Sequence, residues 1–213
     1  MKNTICEKLM WLAMTPTIFK YINECYEDID IKQVKDDAKR NYKAMVERTP
    51  DIGSFTKNSL RVCLVGGIVW LSVYDSMNGK MSREKFAEMI KVTMRAPLIR
   101  EAFRRKNPFN SEYQKKKAEK DKIANSMSDS EFNWKTETIP GRDPDEYQTN
   151  YYQCGLCALG KQEHHEDLIL YMCEMDFLSI ELMGGVLHRK GTIADGAKVC
   201  DFYVCKKGSK WDV

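Results

Sequence analysis

Apolar side chains recur at helical spacing through the first half of the chain, beginning with Ile5, Leu9, Leu12 and Ala13. A second helical stretch opens near Pro16 and runs to about Glu47, and the acidic patch Glu27-Asp28-Ile29-Asp30 is where it can divide into two pieces. Thr49-Pro50-Asp51-Ile52-Gly53 predicts a turn, because proline fixes φ and glycine tolerates positive φ. From about Ser59 to Asp75 apolar residues lie on nearly every side, the pattern of a helix central to a core. The pair Gly66-Gly67 within it reads as a site of close helix packing. Ser82 predicts the N-cap of a helix carrying Phe86, Met89, Ile90 and Val92, which should end at Ala96-Pro97.

The last eighty or so residues change character. Phe132, Trp134, Thr136 and Thr138 alternate as a half-buried strand does, and the tyrosine-rich run from Tyr147 to Cys154 reads as a second strand. Leu168, Leu170, Tyr171, Met172, Met175, Leu178 and Leu182 predict one long helix, stopped at Gly184-Gly185. Val186 to Ile193 and Val199 to Lys206 read as strands joined by a hairpin at Ala194-Asp195-Gly196-Ala197. The fold class is therefore α+β: a helical part over 1–128 packed on a small antiparallel C-terminal sheet with one long helix over 129–213, the two forming one compact unit.

Composition narrows the function classes. Charged residues make up 31% of the chain but leave a net charge of only +3, so electrostatics gives no case for nucleic acid as a partner. The basic run from Arg100 to Lys122 is offset by Glu112, Glu119 and Asp121 and reads as a solvated helix. The longest apolar run, Val62 to Val73, is too short for a membrane span, and charges at Glu7 and Lys8 interrupt anything like an export signal at Met1-Lys2-Asn3-Thr4-Ile5-Cys6. The expected compartment is the cytoplasm. There the eight cysteines are free thiols, metal ligands or catalytic groups rather than disulfides.

Five of those cysteines fall in the last sixty residues, among carboxylates. Cys154 and Cys157 sit where a strand gives way to a helix, and Cys173 and Asp176, three apart, share a helix face. Cys200 and Asp201 are adjacent on the last strand and point to opposite sides of the sheet. The Cys154-x-x-Cys157 spacing fits neither a zinc knuckle, which needs a second such pair, nor a thioredoxin-like motif, which needs a βαβ unit. Cys6, Cys25, Cys63 and Cys205 read as small apolar packing residues. Asp176 lies between Met175 and Phe177 and must be paired, hydrogen-bonded or functional, since burying a lone carboxylate is costly.

Cys173-Glu174-Met175-Asp176, Arg189-Lys190-Gly191-Thr192 with the following Gly196-Ala197, and Cys200-Asp201-Phe202 resemble the C-terminal signature of the L-2-amino-thiazoline-4-carboxylic acid hydrolase family. Cys154 matches that family's further cysteine about twenty residues upstream, and Pro50 to Gly53 with Asn58 is similar to its N-terminal turn and asparagine. Met175 departs from a position that is often basic in the family. The resemblance implies hydrolytic opening of a cyclic C=N small molecule, with a thiol nucleophile and a carboxylate as proton shuttle. Cys154 or Cys173 is then the nucleophile, Asp176 the acid/base and Cys200 a further catalytic thiol. Arg189 or a lysine would hold the substrate carboxylate, with Asn58, Thr192 and Asp201 as further contacts. No cofactor or metal is expected, the partner is a small-molecule substrate, and self-association into a homo-oligomer stays open. The competing reading is a non-enzymatic small-molecule or metal-binding domain, because the closing Gly…Cys-x-Phe element also looks like that of vinyl-reductase-type domains.

Overall fold

A computed structural model describes residue 1 and residues 4–212. Lys2 and Asn3, within the segment read as lacking an export signal, and Val213, the end of the α+β part, lie outside the described residues. The chain forms α1 (Ile5–Cys25), α2 (Ile31–Arg48), α3 (Arg61–Ser76), α4 (Arg83–Met94), α5 (Pro97–Arg104) and α6 (Ser111–Ser126), then β1 (Lys135–Pro140) and β2 (Glu146–Gln153). It continues through α7 (Gly155–Glu163), α8 (Glu166–Cys173) and α9 (Met175–Leu182) to β3 (Gly185–His188) and β4 (Cys200–Lys206). The four strands make one antiparallel sheet in the order β1-β2-β4-β3. The α+β architecture is thus as the pattern predicts. Among the described residues no helix is long and apolar enough to cross a membrane.

Helix α3 is the axis of the core. Leu64, Val65, Ile68, Val69, Leu71 and Val73 are all fully buried, each contributing about 1.5–3 kcal/mol by leaving water. Gly66 and Gly67 serve packing: a Cβ on Gly67 would come within 2.5 Å of the Leu156 side chain on α7. This close approach lets the helical half and the α7–α8 segment share one apolar cluster.

Helix α1 differs from its pattern in two ways. It runs through Pro16 without ending and stops at Cys25, next to the acidic patch, where Asp30 caps α2 by accepting from the Lys32 and Gln33 amides. Its inward face carries Met14, Ile18 and Ile22, while Ile5, Leu9 and Leu12 point outward. A buried ion pair overrides the apolar stripe. Arg61 Nε of α3 donates to Glu7 Oε1 at 2.8 Å, with both side chains almost wholly enclosed, and this turns the opposite face of α1 to solvent. Burial works to raise the Glu7 carboxyl, but hydrogen bonds from Thr4 and Arg61 prevail and leave it below its ordinary value.

Two further differences shape the C-terminal half. The long helix is divided at Glu174, where Arg189 reaches in to donate to the Cys173 carbonyl at 2.9 Å. Strand β3 ends at His188, so residues 189–199 form a loop with a 3-10 turn at Ile193–Asp195 instead of a tight hairpin. Asp201 holds that loop, accepting from the amides of Lys190 (3.0 Å) and Gly191 (3.3 Å).

Candidate active site

Cys154 is placed by a close backbone approach. Gly155, the first residue of α7, lies so near the Phe132 carbonyl that a Cβ would be 2.1 Å from its oxygen. Strand β2 therefore turns directly into α7, with Cys154 as the N-cap residue at the positive end of the helix. The Cys157 thiol, one turn along, and then the backbone N–H groups of Cys157 and Leu156 favour the Cys154 thiolate and hold its pKa below the ordinary thiol value, although none closes a full capping hydrogen bond. Donating to Cys154, Cys157 itself is pushed up.

Asp176 enters from the first turn of α9. Arg189 Nη1 donates to its Oδ2 at 2.9 Å, while Nη2 reaches Glu174 Oε1 at 3.1 Å. The guanidinium is itself enclosed, stacked on Phe177 and Phe202 at 4.7 and 5.7 Å from the ring centres. Loss of water outweighs the arginine, and the Asp176 carboxyl is pushed up to about 7. Yet its side chain keeps 38% of its surface open. Asp176 is thus desolvated by the atoms packed around it while part of its side chain still meets solvent.

The other thiols face the same region. Cys200 pairs across the sheet with Tyr151, so the two share a face. Its sulfur accepts from the Ile193 amide at 3.1 Å, and burial raises it to about 11. Cys173 is pushed up by burial and then by the charges of Asp176 and Cys154. Each of Cys154, Cys173 and Cys200 feels the charge of Asp176, so these side chains, distant in sequence, lie within electrostatic reach of one another. Their surroundings differ: Cys173, Arg189 and Thr192 line an open cleft of about 290 Å³ together with Lys190 and Phe177, whereas Cys154, Asp176 and Cys200 are not part of its wall.

Three sequence-derived candidates have other partners. Thr192 is buried and its hydroxyl accepts from the Asp195 amide at 3.1 Å, capping the loop turn. Asp201 faces away from Cys200 and holds the loop amides. Asn58 is fully enclosed far along the chain: its amide donates to the Ile52 carbonyl (2.8 Å) and Asn133 Oδ1 (2.9 Å), and its oxygen accepts from the Leu60 amide. It borders a separate hollow of about 220 Å³ with Phe55, Lys57 and Lys120.

Two further residues that the pattern did not single out lie within electrostatic reach of Asp176. Cys63, on the first turn of α3, is exposed, yet desolvation raises it to about 11, with Asp176 and Cys154 adding and Lys106 opposing. Nothing in its local sequence separates it from a packing cysteine. Tyr151 packs edge-on against Phe202 at 4.9 Å, and desolvation followed by the Asp176 charge pushes its phenol well up. Its register opposite Cys200 was a signal available once the strands were aligned.

The family model for L-2-amino-thiazoline-4-carboxylic acid hydrolase matches residues 65–204. That span holds Tyr151, Cys154, Cys173, Asp176, Arg189 and Cys200, and leaves Asn58 and Cys63 outside. No curated protein and no solved structure matches the chain.

Proposed function

Because this chain belongs to the L-2-amino-thiazoline-4-carboxylic acid hydrolase family, we propose that Cys154, Asp176 and Cys200 line a recess where it hydrolyses a cyclic amidine of the 2-aminothiazoline type. What supports the reading is one pairing of opposites: a thiol held below its ordinary pKa at Cys154 and a carboxyl held near 7 at Asp176, within electrostatic reach. Groups pushed apart in this way divide the labour of nucleophile and acid.

In the proposed reaction the Cys154 thiolate adds to the amidine carbon. The ring C–S bond breaks, the C=N bond re-forms, and the departing sulfur takes the proton of Asp176. This leaves an isothiourea joined to Cys154 and an Asp176 carboxylate. Water then adds to the same carbon and gives a proton to Asp176, and the Cys154 thiolate is expelled. The product is an N-carbamoyl cysteine, and both groups return to their starting states. Arg189 positions Asp176 and, with Lys190, presents positive charge to the 290 Å³ cleft, where the substrate carboxylate would sit. Cys173 and Cys200, both raised, serve as neutral walls, while Thr192 and Asp201 hold the loop that carries Arg189 and Lys190.

The test is ring opening of 2-aminothiazoline-4-carboxylate by the purified chain, followed by free-thiol release. Cys154→Ser and Asp176→Asn should each lower kcat by at least about 100-fold. Wild-type turnover in Cys154→Ser and in single replacements of Cys173, Asp176 and Cys200 would end the reading.

A further inference from the structure

The outer face of the sheet carries a second group of metal-binding side chains. The pairs Val186↔Cys205 and His188↔Tyr203 put His188 and Cys205 diagonally across β3 and β4 on one face, opposite to Cys200, Phe202 and Val204. After β4 the chain turns at Gly208, with φ +74°, and folds back over this face. Trp211 fastens it there: its Nε1 donates to Asp143 Oδ2 at 2.9 Å, and Arg142 stacks on its ring at 3.9 Å. Asp212 is thereby brought over Cys205. One ligand atom from each of His188, Cys205 and Asp212 lies within 4.8 Å of the other two.

The chemistry of the three is that of a cation site. Cys205 is fully buried, and its sulfur lies 3.7 Å from His188 Nε2. Zinc bonds of about 2.3 Å to sulfur and about 2.0–2.1 Å to nitrogen in a tetrahedron put those two atoms about 3.6 Å apart. The spacing across β3 and β4 is thus already that of two zinc ligands. Asp212 Oδ2 accepts from the Gly208 amide at 2.8 Å, which fixes the carboxylate in place as a supporting hydrogen bond does in metal centres.

We propose that His188 Nε2, Cys205 Sγ and an Asp212 carboxylate oxygen bind one divalent transition-metal ion, zinc by the mixed N/S/O donor set, with water in the fourth position. The ion would clamp the segment 207–212 onto the sheet. His188 and Cys205 lie on the sheet face opposite to Cys200, so this site is separate from the thiol recess and from the activity proposed for it.

Cobalt(II) reports the ligands directly, because a cysteine-bound ion gains a thiolate charge-transfer band. Titration of the purified full chain should give that band at one equivalent, and zinc should abolish it. Cys205→Ser should remove the band, and Asp212→Asn should weaken binding by more than the roughly 10–100-fold that loss of a supporting residue costs. Cys154→Ser should leave both unchanged. If Cys205→Ser fails to fold, His188→Gln should weaken cobalt binding by more than roughly 10–100-fold. A titration without the thiolate band would reduce the contact to an S–H···N hydrogen bond and overturn the proposal. So would a band that survives in Cys205→Ser, or an affinity unchanged in His188→Gln.

Discussion

Arg189 and Asp176 lie 2.9 Å apart, a distance at which an arginine normally drives a carboxyl well below its usual range, and yet the carboxyl is held near 7. Desolvation prevails over the charge and hydrogen bond of Arg189, and the negative charge of Glu174 adds to it. The balance has a consequence for pH dependence. With Asp176 as the acid of ring opening, activity should fall as pH rises through about 7. Arg189→Met removes the one favourable charge, so the carboxyl should rise further and the falling limb should move to higher pH. A pH–kcat profile that keeps its falling limb in Asp176→Asn would assign that limb to another group.

Cys154 should be the most readily alkylated thiol of the recess. Among Cys63, Cys154, Cys157, Cys173 and Cys200 it alone is held below its ordinary value, and the thiolate is the reactive form. Limited iodoacetamide treatment followed by peptide mapping should label Cys154 ahead of the other four. Labelling led by Cys63, which is the more exposed, would shift the nucleophile to α3.

Asp176→Asn should stabilise the fold above neutral pH. The folded carboxyl titrates near 7 against an ordinary value of 3.8. Between the two, the folded state keeps a proton that the unfolded chain has lost, so stability falls as pH rises through that window and stays lower above it. The side chain is 38% open, and solvent screening reduces the gain on substitution to about 1–2 kcal/mol. Urea melts of both proteins on either side of the window measure it. No gain at alkaline pH would mean that the carboxyl is not raised.

Glu7→Ala should cost about 3–5 kcal/mol, because among the described residues it leaves the enclosed Arg61 with only Asp51 as a charged partner. The Glu7 carboxyl is depressed in the fold, so its contribution is present above its ordinary pKa and is lost as pH falls through the depressed value. Replacing Glu7 and Arg61 together by methionine should recover most of the loss, since two apolar groups need no partner. Chemical denaturation of the three variants gives the comparison, and equal destabilisation of single and double variants would deny the pair its role.

Gly155→Ala should disturb the site more than its size suggests. The added methyl would lie 2.1 Å from the Phe132 carbonyl oxygen, so β2 and α7 must part and Cys154 must leave its cap. A large loss of both melting temperature and Cys154 labelling is expected, and an unchanged labelling rate would show that the cap does not depend on this approach.

Much of the architecture is written in local pattern. The all-round apolarity of residues 59–75 marks α3 as central, Ser82 caps α4 through the Lys85 amide, alternation marks β1 and a tyrosine-rich run marks β2. These succeed because period and capping act within a few residues of one another. The thiols and Asp176 were equally legible as residue types, and the adjacency of Cys200 and Asp201 fixed that they face opposite ways.

The tertiary structure decided whatever depends on a partner distant along the chain. Ile5, Leu9 and Leu12 have the spacing of a core face, but Arg61 claims Glu7 and turns them outward. The helix through Cys173 divides, and the strand after Gly185 stops at His188, where Arg189 turns in to Asp176 and Asp201 takes the loop amides. Cys63 has the local sequence of a packing residue and comes within reach of the Cys154 and Asp176 charges because α3 is laid against α7 at Gly67. A sequence specifies which groups a chain can offer. Which of them lose water, and beside which charges, is set when the elements pack, and here that decided the opposite directions in which Cys154 and Asp176 shift.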